Sequence, residues 1–156
     1  MARPTIPDFD LQNFLPYLLN QAAEASSLGF QTVYKERYGM LRTEWRVLFH
    51  LGLYGRLTAT EIGARARMHK TKISRAVAKL EERRMLRRTP DAEDRRVEWL
   101  DLTMQGKAAY RDLYQVAERY ESELMADMSE DEMRCLRTVL RRLAHMDDPL
   151  RIRNPE

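Results

Sequence analysis

Cysteine occurs once in this chain, at Cys135, so no internal disulfide framework is available and the composition fits a reducing compartment. On the apolar-rich stretch around Cys135 an inert, buried thiol is expected, and with it no redox switch. Histidine is almost as scarce. His50, His69 and His145 stand far apart without the short spacing of a metal site, and no metal or other cofactor is expected. The 6 glycines form no phosphate-cradling loop, and no nucleophile stands beside a base. Asp91, Glu93 and Asp94 cluster, but on a turn beside arginines, where structural pairing suffices. These absences argue against an enzyme. No long apolar run follows Arg3 in "MARPTIPDFD", so neither a secretory signal nor a membrane span is expected, and a cytoplasmic protein is.

What the chain does have is charge, unevenly spread. The 156 residues hold 27 lysines and arginines against 24 aspartates and glutamates, a small net excess. From Arg56 to Trp99, however, 13 basic residues face 7 acidic ones, and the rest of the chain is left acidic. A basic middle with acidic flanks calls for a polyanionic partner or is simply a solvated face, and spacing must decide. The hydrophobic content of 44% is enough for one ordinary core.

The apolar spacing predicts helices through most of the chain. Asn13 to about Tyr38 is helical, with Leu15, Leu18, Leu19, Ala22 and Ala25 on one face, Pro16 in the tolerated first turn, a weak point at Gly29 and an end at Gly39. A second helix is expected from a cap near Thr43 through Trp45, Leu48, Phe49 and Leu53 to Gly55. "TATE" reads as a capping box, Thr58 with Glu61, opening a short helix through Ile62 and Ala66. After a turn at Arg67 and Met68 comes "HKTKISRAVAKLEERR", whose Ile73, Val77 and Leu80 form a core-facing stripe. "MLRRT" and "RVEWLDL" are β-compatible and separated by the turn-forming "PDAEDR". Thr103 caps a long helix expected from Met104 to about Met128, with Tyr110, Leu113, Ala117, Tyr120 and Leu124 on its stripe. A Ser129–Glu132 capping box opens a last helix, carrying Leu136, Val139, Leu140 and Leu143 and ending before Pro149.

Short helix, turn and amphipathic helix make a helix-turn-helix, and the hairpin after it makes a wing, so the expected fold is mainly α with a small β-hairpin wing. A helix entering the major groove, roughly 12 Å wide, needs hydrogen-bonding side chains and cations near its N-terminus. Lys70, Thr71, Lys72, Ser74 and Arg75 supply both. At the wing tip, Asp94 stands directly before Arg95 and Arg96. Arginine gains from the negative potential of a narrow minor groove, and a neighbouring aspartate can orient its guanidinium.

The run "LTATEIGARARMHKTKISRAVAKLEERRMLRRTPDAEDRRVEWLDLTMQG" resembles the winged helix-turn-helix of the multiple-antibiotic-resistance regulator (MarR) family, through "KISRAVAKLE", "DAEDRR" and "LDLTMQG". The resemblance implies a homodimeric, ligand-responsive transcription regulator, usually a repressor at pseudo-palindromic operators. It also implies DNA contacts from Lys70, Thr71, Lys72, Ser74 and Arg75 and from Arg95, with Asp94 bracing Arg95. One departure is visible: where the family commonly has a glycine after the recognition helix, this chain has Arg84, which costs about 1 kcal/mol in a left-handed cap.

Three segments are therefore expected: 1–40 for dimerisation, 41–102 as a DNA-binding lobe and 103–156 for dimerisation. The apolar stripes of the terminal helices exceed what a small winged domain can cover, which favours self-pairing. Double-stranded DNA and a second copy are the expected partners. The resemblance implies a third, a small effector that is often an aromatic acid or related compound, for which Tyr17, Tyr34, Tyr38, Trp45, Arg46 and His50 offer aromatic walls and a cation. The competing reading is a winged-helix interaction module whose basic face meets an acidic protein.

Overall fold

The computed structural model of the chain describes residues 8–146, so the opening "MARPTIP" and Pro149 lie outside the described residues, while the last helix ends before Pro149, at Leu143. A 3-10 turn, Leu11–Asn13, leads into α1, Leu15–Tyr38, and α2, Arg42–Tyr54. There follow β1 (Leu57–Thr58), α3 (Ala59–Ala66), α4 (Lys70–Glu82), β2 (Leu86–Pro90) and β3 (Glu98–Leu102). Two helices, α5 (Met104–Leu124) and α6 (Glu130–Leu143), complete the order. The strands form one antiparallel sheet, β1-β3-β2, with Leu57 opposite Leu100 and Leu86 opposite Leu102.

The helix starts follow the capping chemistry. Thr58 and Glu61 exchange bonds at α3, the Thr58 amide donating to Glu61 Oε2 at 2.7 Å and the Glu61 amide to Thr58 Oγ1 at 3.2 Å. Ser129 and Glu132 do the same at α6, and Thr103 Oγ1 accepts from the Gly106 amide at α5. At α2 the cap differs from expectation. Thr43 lies inside the first turn, and the start is fixed earlier by Glu44, whose carboxylate accepts the Leu41 amide at 2.6 Å. Leu53, expected to share the core face of α2, is exposed.

Three further expectations are corrected. Gly29 does not weaken α1, which runs unbroken. A Cβ there would come within 2.6 Å of the Tyr120 ring, whose hydroxyl donates to the Ser26 carbonyl at 2.6 Å, so the glycine is a seat for α5. α5 ends at Leu124 rather than near Met128, because a turn in which the Met128 amide meets the Met125 carbonyl is needed before the Ser129 cap. Cys135 is exposed, not buried, because no residue of α6 is buried in the single chain.

One apolar core holds the rest. Tyr34 of α1, Leu48 of α2, Ile62 of α3, Ile73 and Leu80 of α4, Leu100 of β3 and Leu113 of α5 are all nearly inaccessible to solvent. The core therefore crosses the expected segment boundaries at 40 and 103: the second half of α1 and the first half of α5 are built into the winged lobe. Leu15 and Leu18 of α1 and Leu136, Val139, Leu140 and Leu143 of α6 remain exposed. Among the described residues, no helix is long and apolar enough to cross a membrane.

Candidate nucleic-acid interface

The turn before α4 is tight because Arg67 adopts a left-handed conformation (φ 51°) and the Met68 amide closes onto the Gly63 carbonyl at 3.1 Å. His69 then caps α4, its Nδ1 accepting the Thr71 amide at 3.3 Å. Ile73, Ala76, Val77 and Leu80 are buried, which fixes the rotation of α4 about its axis. The opposite face carries Lys70, Thr71, Lys72, Ser74 and Arg75, all exposed.

Ion pairing divides the cations of this region. Lys79 pairs with Glu82, Arg83 with Glu44, Arg56 with Asp101, and Arg88 with both Glu81 and Glu98. Lys70, Lys72 and Arg75 have no acidic partner among the described residues, and the first turn of α4 contains no acidic side chain. Cations crowded at a helix N-terminus are electrostatically unfavourable in the free protein, and an external anion relieves that repulsion.

Beyond α4, Arg84 holds the left-handed conformation (φ 60°) that the departure from glycine made costly. Its amide reaches the Glu81 carbonyl and the Met85 amide the Leu80 carbonyl, each at 2.9 Å, while Thr103 Oγ1 donates to the Arg84 carbonyl at 2.7 Å. The helix end keeps its shape despite the side chain.

At the wing the brace goes to a different arginine. Asp94 accepts from the Arg96 amide at 3.0 Å and from its guanidinium at 3.2 and 3.3 Å, so the expected Asp94–Arg95 pairing is replaced by Asp94–Arg96. The local turn explains it, since an aspartate bonding the amide two residues on draws the side chain at that position toward itself. Those contacts hold the Asp94 carboxyl below the usual range, with the Arg96 guanidinium the first cause. Arg95 is exposed and has no acidic partner among the described residues.

Glu44 is the one charged residue among the buried core positions described. Its carboxylate meets Arg83 at 3.0 Å, and Arg83 also donates to the Gly39 carbonyl at 2.7 Å. The end of α4 is thereby tied to the corner between α1 and α2. The spacing of 39 residues between the partners left no signal in the sequence.

A cavity of about 640 Å³ lies between α1, α2 and α5, walled by Phe30, Tyr34, Trp45, Phe49 and Tyr120 with Arg42 and Arg46 on its lining. Of the expected effector residues it gathers Tyr34, Trp45 and Arg46. Tyr38 lines a separate cavity beside Arg83, where its hydroxyl donates to Asp112 at 2.6 Å; Tyr17 and His50 line neither. Arg46 donates to the Ala66 carbonyl, and burial first, then the charge of Arg42, makes it a weaker base than an ordinary guanidinium. Arg42 and the α5 residues Tyr114 and Glu118 were not singled out in the sequence, where only an aromatic stripe marked α5.

Basic recognition helix, braced wing and flanking helices together define a winged helix-turn-helix fold. Residues 38–97 match the MarR family. The helix-turn-helix-type transcriptional regulator YwaE of Bacillus subtilis is 28% identical over 126 residues, which are 81% of this chain and 74% of that protein. Among solved structures, a MarR/EmrR-family regulator from Acinetobacter sp. ADP1 is 26% identical with a TM-score of 0.79, covering 90% of this chain and 99% of that one. The MarR-family regulator SPO1453 from Silicibacter pomeroyi DSS-3 is 27% identical with a TM-score of 0.77, covering 90% and 100%. Over residues 38–97 the chain is similar to the MarR family of transcriptional regulators, and its fold is that of the MarR-family structures.

Proposed function

We propose that this regulator binds an inverted-repeat operator as a homodimer, represses from it, and releases it when a small aromatic anion enters the cavity. The observation that carries the reading is the pairing pattern of its cations. The front of α4 and the wing tip keep Lys70, Lys72, Arg75 and Arg95 unpaired, with Arg67, Arg84 and Arg87 of the same lobe unpaired beside them, whereas Lys79, Arg83 and Arg88 are neutralised within the chain.

In this reading Thr71 and Ser74 meet base edges in the major groove, Lys70, Lys72 and Arg75 meet phosphates, and Arg95 enters the adjoining minor groove. Arg96 and Asp94 shape the tip. The exposed stripes of α1 and α6 supply the dimer contact, so that 41–102 reads DNA while the outer parts of 1–40 and 103–156 pair the copies. In the cavity, Arg46 and Arg42, the latter also meeting Glu24 at 3.5 Å, offer positive charge to an anion, Glu118 and Glu121 stand on the same lining, and the aromatic walls offer a planar slot. Hydroxyl-radical footprinting on DNA from upstream of the gene tests the arrangement. Two protected half-sites centred about one helical turn, roughly 34 Å, apart are expected; a single protected patch would contradict a two-fold reader.

A further inference from the structure

Arg46 belongs to two places at once. It stands on the lining of the aromatic cavity with Trp45 and Phe49, and its guanidinium crosses from α2 to donate to the Ala66 carbonyl at the end of α3. That carbonyl is one of the last four of α3, which the helix itself leaves without a partner. Directly after it Arg67 takes the left-handed conformation (φ 51°), Met68 is buried, and His69 caps α4. Arg67, Met68 and His69 are thus all that separates the carbonyl held by Arg46 from Lys70, the first residue of the DNA-facing helix.

The charge of Arg46 is poorly met where it lies. It has no acidic partner among the described residues, whereas Arg42 meets Glu24 at 3.5 Å, Glu121 meets Arg137 at 3.1 Å and Glu118 accepts the Tyr114 hydroxyl. Burial, and then the nearby charge of Arg42, make it a weaker base than an ordinary guanidinium, as befits a cation short of anionic company. A guanidinium has five N–H donors in one plane, and a backbone carbonyl uses few of them. A carboxylate takes two in a parallel fork and adds the attraction of a full charge, which a part-buried site strengthens.

We propose that Arg46 is the residue through which the cavity acts on α4: its bond to the Ala66 carbonyl holds the turn before α4, and an aromatic anion in the cavity competes for the same guanidinium and releases that turn. The inference rests on the reading of the cavity as an aromatic-anion site and of α4 as the DNA-facing helix. It adds the side chain that joins them. Once the carbonyl is released, the left-handed Arg67 loses the contact that fixes its neighbour, and the cap at His69 and the front of α4 lose their set position. Linkage makes the effect mutual. DNA needs the turn held and the anion needs the guanidinium turned, so each weakens the binding of the other.

Arg46→Met keeps much of the side chain's length and deletes its donors, and benzoate serves as the probe anion. In the free full-length variant, two amides report on the turn: that of Met68, which donates to Gly63, and that of Thr71, which donates to His69. Both are expected to exchange with solvent about three- to tenfold faster than in the wild type, the usual worth of one hydrogen bond. Unchanged exchange, or the same acceleration at core amides such as Leu48 and Leu113, would overturn the proposal. In the wild type, benzoate should speed the same two amides and weaken binding to the duplex from upstream of the gene; in Arg46→Met it should do neither. Benzoate that shifts the Trp45 indole resonance but leaves the turn amides as they were would overturn the proposal and keep the cavity reading. Absence of any benzoate binding to the wild type would instead overturn the aromatic-anion reading, and the competition with it. Arg46→Lys keeps the charge and a donor for Ala66 but has no fork. It is expected to restore slow exchange and to respond to benzoate at least about threefold more weakly than the wild type. Should Arg46→Met fold poorly, this variant decides, and a full benzoate response in it would overturn the competition. If the wild type prefers no duplex, the DNA reading fails while the amide measurements still decide whether Arg46 joins cavity and turn.

Discussion

Arg95 and Ser74 do different work in this account, and substitution separates them. Arg95→Ala removes a cation that seeks the groove whatever its sequence, so affinity should fall across operator and scrambled duplex alike. Ser74→Ala or Thr71→Ala should instead change preference at particular base pairs, costing about 1–3 kcal/mol there. Binding to a panel of single-base operator variants checks both, and unchanged affinity in Arg95→Ala would remove the inserted wing. Arg84 gives a test without DNA. It sits at φ 60°, so Arg84→Gly should raise stability by about 0.5–1 kcal/mol, the relieved strain less the extra freedom given to the unfolded chain. Urea denaturation would show it as a higher midpoint. The residue types at the front of α4 were legible in the sequence because apolar spacing fixes which face is outward. Their freedom from ion pairs was not, since it depends on where Glu44, Asp101 and Glu98 fall after folding. The Asp94 brace went to Arg96 for a related reason: adjacency in sequence does not tell which guanidinium a turn folds back.

Between elements, the contacts that matter are few and specific. Gly106 opens α5 so close to the exit from α4 that a Cβ would lie 2.0 Å from the Met85 carbonyl oxygen. Gly106→Ala should therefore cost about 1–3 kcal/mol, as backbone must move to admit one methyl. A melting curve unchanged from wild type would contradict the packing described. At the far end of α1, Tyr38 and Arg37 both donate to Asp112 of α5. Burial first, and then the hydrogen bond to Asp112, pushes the Tyr38 hydroxyl up to about 12. A phenol whose folded pKa is raised stabilises the fold fully below its ordinary value near 10, and that contribution is lost as pH climbs from there through about 12. Stability of the wild type should thus fall over that alkaline window, with a smaller fall in Tyr38→Phe, read by denaturation at several pH values. The helices themselves were largely readable, because Thr58–Glu61, Ser129–Glu132 and Thr103 announce their starts. What escaped was β1, whose 2 residues have no periodicity to detect, and the end of α5, which is set by the turn into the next cap. The cavity was half legible: Trp45 and Arg46 lie on one helix, but its opposite wall comes from α5.

Taken as one body, the described residues bury a single core and leave α6 and the start of α1 uncovered. Not one residue of α6 is buried, and its four-residue apolar stripe matches exposed leucines early in α1. Light scattering at micromolar concentration is expected to give twice the mass of the chain, 18.5 kDa, and a clean monomer would remove the two-half-site arrangement. With several phosphates met by each half of such a dimer, DNA affinity should drop by about 10³ to 10⁵ between roughly 50 and 200 mM salt. Charge alone, however, does not distinguish DNA from an acidic protein. The decisive measurement is fluorescence anisotropy at fixed salt, titrating the protein into a labelled duplex from upstream of its own gene with scrambled duplex as competitor. The pairing pattern on α4 and the wing predicts that the upstream duplex resists competition, and that Arg95→Ala weakens binding to both duplexes. Equal, weak binding to both, unaffected by Arg95→Ala, would contradict the account and turn the basic face toward a protein partner.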